Sequence, residues 1–289
     1  MIQSKNAIRN QILCFVLISV CIFSPGLLLA QTDYYIPKAL HIPLHNQKNQ
    51  LHTSLGWGGG YDLNLSYSLT NHLSVFSTAN FDNTVHSRQK LMGDRFHLLK
   101  DDYVFNAGLG YFSKIDNPLV TIIEAYIGAG TSKVDNYWHF PGNTHGEYTK
   151  AQYRTAFVQL NAGKKVSFGE LAFGIRVAYS KYSDFGFYSS HPNTRYITKR
   201  YEGLEGMSAD PAVSYSYLWK GFKLNAQVGG AIPVFFPSTK FITTHSLNDG
   251  DIVFENEERN PRLYSLIGRI CVQYNLNLGK KSNKQQGAY

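Results

Sequence analysis

Five charged residues stand where an alternating chain would turn them toward a confined space. Glu124, Arg176 and Arg269 lie near the middle of stretches in which greasy and polar residues alternate, on the polar parity, and Lys223 and Glu170 share that parity closer to a turn. A charge held away from bulk water needs a partner, because desolvation is otherwise uncompensated. The five therefore read as opposite charges that pair and fill a lumen, with a narrow selective path as the competing use.

Other residue groups suggest other chemistry. Asp101-Asp102 lies at the end of an alternating stretch, and His97, His139, His145, His191 and His245 populate the long connections, so a rim hydrolase that activates water between an aspartate and a histidine is one class to weigh. No Asp-x-His pair occurs. "HLS" at His72 to Ser74 has the letters of a His/Ser lipid deacylase but sits at a turn. The segment "NDGDIVFENEER", Asn248 to Arg259, gathers Asp249, Asp251, Glu255, Glu257 and Glu258 without the alternate-ligand spacing of a calcium loop, and reads as a solvated acidic loop. "YSSHPNTRYITKRYEG", Tyr188 to Gly203, mixes Tyr188, Tyr196 and Tyr201 with Arg195, Lys199 and Arg200, a surface suited either to gripping sugars or anionic headgroups or to packing on itself. No motif implies a cofactor or a metal.

The elements that would position these groups are strands. In "GYDLNLSYSLTNHLSVFSTANFD", Tyr61, Leu63, Leu65, Tyr67 and Leu69 fall on one parity and Asp62, Asn64, Ser66 and Ser68 on the other. One face is greasy and one is wet, as period-two alternation requires. Across a turn at Thr70-Asn71 the pattern resumes with Leu73, Val75, Ala79 and Phe81, with Phe76 and Ser77 out of phase. The signature returns in "DYVFNAGLGYF", "ELAFGIRVAYSKY", "GFKLNAQVGGAI" and "YSLIGRICVQYNLNL". With weaker segments at Asn49 to Trp57, Leu119 to Thr131, Ala151 to Val166 and Ala209 to Trp219, the pattern predicts ten antiparallel strands. Their connections sort by length: tight turns at one end, long segments at 83–101, 132–150, 184–208 and 235–260 at the other. Strands of ten or more residues with loops so sorted match a transmembrane up-and-down barrel better than a sandwich, whose strands are shorter.

Aromatic residues gather at the greasy strand ends. Tyr61, Tyr103 and Tyr264 lie on the loop side; Tyr67, Tyr111, Tyr217, Trp219, Phe222 and Tyr274 lie on the turn side. Rings with a polar tip suit the two membrane interfaces, so these residues form an expected girdle.

Bulk properties narrow the class further. In 289 residues, Lys5 and Arg9 precede the apolar run "ILCFVLISVCIFSPGLLLA", which ends in Ala30. Residues 1–30 read as a secretory signal. Cys14 and Cys21 leave with it, so Cys271 alone remains and no intrachain disulfide is expected. Of 28 basic residues, all but Lys5 and Arg9 stay, against 20 acidic ones, and the densest basic cluster is the terminal "GKKSNK". That dispersed charge argues against nucleic acid as a partner. No second long apolar run follows Ala30, so crossing by helices is not expected.

The start "YYIPKALHIPLHNQKNQLHTSLGWGGGYDLNLSYSLTNHLSVFSTANF" resembles the opening of a family of small outer-membrane β-barrel proteins of Bacteroidota. The resemblance is carried by Tyr34 to Pro37, Pro43-Leu44, Gly56 to Gly60 and Tyr67 to His72, about fifty residues closely and the rest by pattern. It implies a fold and an address, and its members mostly lack an assigned activity. The expected organisation is a signal at 1–30, a periplasmic lead-in at 31–48, a barrel at 49–279 and a polar tail at 280–289. Both termini would be periplasmic. Because the tail runs past Leu278, the assembly signal read by the barrel-assembly machinery would be internal or atypical. The reading is a monomer surrounded by outer-membrane lipid, porin-like or structural, with outer loops that recognise an extracellular ligand. A barrel hydrolase acting on lipid A or peptide, and a secreted soluble barrel holding a small apolar ligand, are the alternatives.

Overall fold

The computed structural model describes residues 39–58, 60–89, 95–139, 146–166, 169–191, 194–219, 222–246, 252–259 and 265–278. The expected signal, Tyr34 to Pro37, Tyr264 and the tail at 280–289 lie outside these residues.

Among the described residues there are thirteen strands: β1 (Gln50–Trp57), β2 (Tyr61–Ser68), β3 (Leu73–Gln89), β4 (Arg95–Lys114), β5 (Ile122–His139), β6 (Gly146–Val166), β7 (Gly169–His191), β8 (Thr194–Glu202), β9 (Glu205–Trp219), β10 (Phe222–Phe235), β11 (Thr239–Ser246), β12 (Ile252–Arg259) and β13 (Ser265–Asn277). Ten of them close a ring. β1 to β7 pair in sequence, β7 pairs with β9, β9 with β10, β10 with β13, and β13 returns to β1 with Leu55 opposite Val272. These ten are the segments whose alternation marked them as strands. The other three extend the loop end: β8 pairs with the far part of β7, β11 with β8, and β12 with β11.

All four long connections differ from the loops expected. β3 and β4 stay paired out to Gln89 and Arg95, β5 and β6 out to His139 and Gly146, and β7 runs on to His191 with Thr194–Glu202 as β8 rather than loop. The acidic Ile252–Arg259 is likewise a strand, held by β11. Backbone hydrogen bonds do not need a regular greasy face, so the ladder continues where the alternation fades. The β2–β3 connection is also longer than the two residues expected, since Leu69 and Thr70 amides both donate to the Leu73 carbonyl. The Thr70 hydroxyl oxygen accepts from the His72 and Leu73 amides at 3.1 and 2.9 Å.

Side chains sort by parity. Leu55, Leu63, Leu109, Ile127, Val158, Phe173, Leu224 and Ile270 are exposed on the outside, while Asn64, Ser66, Asn106, Gln159 and Gln273 are buried inside. Phe76, out of phase in sequence, points inward and packs with Tyr126, Phe157 and Ala178. At the loop end Val134, Ala151, Tyr153, Tyr182, Phe185, Leu204, Ala231 and Phe236 form a larger apolar cluster, with Phe187 and Tyr201 against it.

Candidate functional site: a filled lumen

All five charged residues singled out in the sequence lie inside the barrel and are buried. They do not form one cluster. Lys223 on β10 donates to Glu170 on β7 at the turn end. Arg269 on β13 meets Asp62 on β2 at 3.2 Å, and its guanidinium also donates to the Ser54 hydroxyl at 3.0 Å. Asp62 in turn accepts from the Asn80 amide at 2.7 Å. Asp62 was legible as an inward residue, but nothing in the chain signals that it faces a residue 207 positions away.

Glu124 and Arg176 belong to a third network that runs across β5, β6 and β7. Arg176 donates to the Gln159 side-chain oxygen at 2.8 and 3.1 Å, and its guanidinium lies 4.2 Å over the Phe157 ring. In the strand register Arg176 stands opposite Asp210 of β9. Gln159 then donates to Asn161 at 2.9 Å, and Asn161 donates to Glu124 at 3.0 Å.

The network ends on residues that sequence reasoning placed elsewhere. Residues 39–45, expected as a lead-in outside the barrel, lie within it. Leu40, His41, Pro43, Leu44 and His45 are all buried. The His45 amide donates to Glu124 at 2.7 Å, and the carbonyls of His41 and Leu40 accept from Gln159 and Gln227 at 2.7 and 3.0 Å. Leu44 packs against Ile122 and Ala172, with Ile42 beside them. The His45 ring contacts His52 edge-on at 4.4 Å and Phe112 at 5.4 Å. At the turn end the segment is fastened by the Lys48 amide to Asn71 at 3.1 Å and by the Ser68 hydroxyl to the Gln47 carbonyl at 2.7 Å. Its apolar residues are too few to declare a strand, and only the closed wall supplies the partners that seat it. Leu44 has φ of 56°, a left-handed conformation that a leucine holds only where its surroundings fix it.

The hydrolase candidates come apart. Asp101 and Asp102 are neighbours on one strand and so face opposite sides. Asp101 is exposed and bonds Lys133 at 2.8 Å, whereas Asp102 is buried and accepts from the Asp135 amide at 2.9 Å. His72 stacks on the Tyr111 ring while Ser74 is buried beside Tyr126, so that histidine and serine point apart. The side chains of His97, His139 and His191, and residue His145, lie outside the described residues. Among the described residues no group of three or more His, Cys, Asp or Glu side chains is arranged to hold a metal ion.

On the outer face the strand register aligns Trp57 with Tyr61, Tyr61 with Phe81 and Phe81 with Tyr103, a row of rings at one level across β1 to β4. Toward the turn end Tyr111, Tyr217, Phe222 and Tyr274 are exposed, the last two 4.9 Å apart between ring centroids. Tyr67 is half-buried and its hydroxyl donates to Asn49 at 3.0 Å. Trp219 ends β9 at the turn end, and its side chain lies outside the described residues.

No family model and no curated protein sequence matches the chain. Solved structures do. The fold is similar to the outer membrane protease OmpT from Escherichia coli, with a TM-score of 0.51 at 10% identity over 79% of this chain and 94% of that one. The chain has the fold of an outer-membrane β-barrel. A major outer membrane protein from Thermus thermophilus aligns with 80% of this chain and 100% of its own at 13% identity, TM-score 0.37. CarO from Acinetobacter baumannii aligns with 81% and 97% at 11% identity, TM-score 0.31. At such identities the likeness is one of fold.

Proposed function

We propose that this protein resides in the outer membrane of a Gram-negative cell as a closed ten-stranded barrel, porin-like in build and shut in its resting state, with its projecting sheet as a recognition surface. The observation that carries the reading is the inversion of the molecule: exposed aliphatic and aromatic side chains on the outside, buried charges and amides within. A secreted soluble barrel would present the reverse. The two bands of rings are the expected membrane girdle, and the resemblance of the stretch from Tyr34 to Phe81 to Bacteroidota barrel proteins supports the same address. The turn end then faces the periplasm and the strands β8, β11 and β12 project outward. There Tyr188, Lys199 and Arg200 are the groups offered to an external ligand such as a sugar or anionic headgroup, while Tyr201 packs on Phe185 and Phe241.

The fold likeness to OmpT raises proteolysis as a second reading, but Asp101 and Asp102 facing opposite sides give no shared water to activate. Two measurements test the proposal. Heat-modifiable gel migration and detergent-dependent extraction are expected; extraction in plain buffer would overturn the membrane reading. In planar bilayers the purified protein should show no steady current, and a constant open-channel current would overturn the closed lumen.

A further inference from the structure

The wall of the lumen is cut to receive residues 39–45. A Cβ on Gly163 of β6 would run into Leu44, and one on Gly174 of β7 would come within 2.9 Å of Ile42 and 3.1 Å of Leu40. The wall holds the segment by its backbone and by one ring: Gln159 and Gln227 donate to carbonyls, Glu124 accepts from an amide, and the His45 ring bonds the Ser66 hydroxyl. None of these contacts is covalent, and each can be exchanged for water. The left-handed backbone at Leu44 adds a conformational cost that only the seat sustains.

What would remain is a lined path with an excess of one sign. Among the described residues, the buried carboxylates are Asp62, Asp82, Asp102, Glu124, Glu170 and Asp210, and the buried cations are Arg176, Lys223 and Arg269. Two of those cations are committed to Asp62 and Glu170, and Asp82 meets the partly exposed Lys100 at 3.7 Å, so the six carboxylates still outnumber the four cations. Glu124 would lose its bond to the His45 amide and turn to water, at the level where the segment now blocks the bore. A narrow lumen with surplus carboxylates attracts cations and repels anions.

We infer that residues 39–45 are a displaceable plug, and that the lumen behind it is a conduction path selective for small cations. This rests on the reading of the chain as a membrane barrel. The test uses the full chain with Gly163→Ala and Gly174→Ala, which crowd the plug while leaving every charge in place, beside the parent in planar bilayers under a potassium chloride gradient. The parent should stay shut. The double variant should conduct, with a reversal potential showing at least about fivefold preference for potassium over chloride. Adding Glu124→Gln should bring that preference closer to unity.

Leu40→Ser with Leu44→Ser weakens the plug without touching a strand, and should open the path in the same way. A second readout follows the plug itself: Leu44→Cys in a Cys271→Ser background should react slowly with a water-soluble maleimide, and at least about tenfold faster once the two alanines are added. Variants that migrate as heat-modifiable barrels yet stay shut and unlabelled would overturn the plug. Chloride preference would overturn the cation path. Loss of heat-modifiable migration in the parent as well would instead strike the membrane-barrel reading.

Discussion

Removing Asp62 should be among the most damaging single changes in the barrel, although it lies in the first hairpin and its partner in the last strand. In Asp62→Ala the Arg269 guanidinium keeps only its bond to Ser54 at 3.0 Å, and the Asn80 amide loses its acceptor at 2.7 Å. The side chains of the pair are only 5% and 4% exposed, so solvent screening offers little relief. Both bonds end on the charged carboxylate, and each contributes about 1.5–3 kcal/mol. Leaving a buried guanidinium without its carboxylate brings the expected loss to about 3–5 kcal/mol. Asp62→Ala combined with Arg269→Met removes the stranded charge, and should recover about half of that loss or more. The assay is urea unfolding of the refolded barrel in detergent micelles or lipid vesicles, followed by tryptophan fluorescence and by gel migration without heating. A loss below about 1 kcal/mol for Asp62→Ala, or a double variant no better than the single one, would refute the reading of the pair as a buried tie between β2 and β13.

Other changes separate the bands and layers of the molecule. Leu109→Arg, on the outward face in mid-strand, should cost about 2–4 kcal/mol in vesicles, whereas Val85→Arg, exposed on the part of β3 beyond the ring row, should stay within about 0.5 kcal/mol; equal costs would refute the bilayer boundary at that row. Phe185→Ala removes a ring packed at 5.0–5.3 Å from Tyr182, Phe187 and Tyr201, and should cost about 3–5 kcal/mol while exposing Lys199 and Arg200 of β8 to faster trypsin cleavage. Asp101→Asn breaks a solvent-exposed pair with Lys133 and should change stability by less than about 1 kcal/mol. It should also leave peptide and lipid A unhydrolysed just as the parent does, and turnover by the parent that the substitution abolishes would revive the enzyme reading.

The alternation of Tyr61, Leu63 and Leu65 with Asp62, Asn64 and Ser66 was enough to say which side chains face out and which face in, because a strand's side chains can point only two ways. The same rule found all ten strands of the ring and the inward direction of Glu124, Arg176, Lys223, Glu170 and Arg269. It failed in β8 and β11, where single rings such as Tyr201 and Phe241 pack inward among threonines and lysines and no run of alternation forms. It also missed β12 and the extension of β3 to β6, because a backbone hydrogen-bond ladder leaves no trace in hydropathy.

Partner choice belonged to the closed ring. Arg269 finds Asp62 because β13 and β2 both flank β1, and no local pattern encodes a contact 207 residues long. Phe76, an exception to the alternation, became part of the interior packing once Tyr126 and Phe157 were brought beside it. Residues 39–45 carry the same lesson further. Their short run of apolar residues and histidines has no periodicity to read, and its place depends on Gly163, Gly174, Gln159, Gln227 and Glu124, which come from four different strands. The sequence by itself determined a barrel with a greasy outside and a charged inside, because parity is local. Only the tertiary structure decided that the inside is filled, because filling needs the whole wall at once.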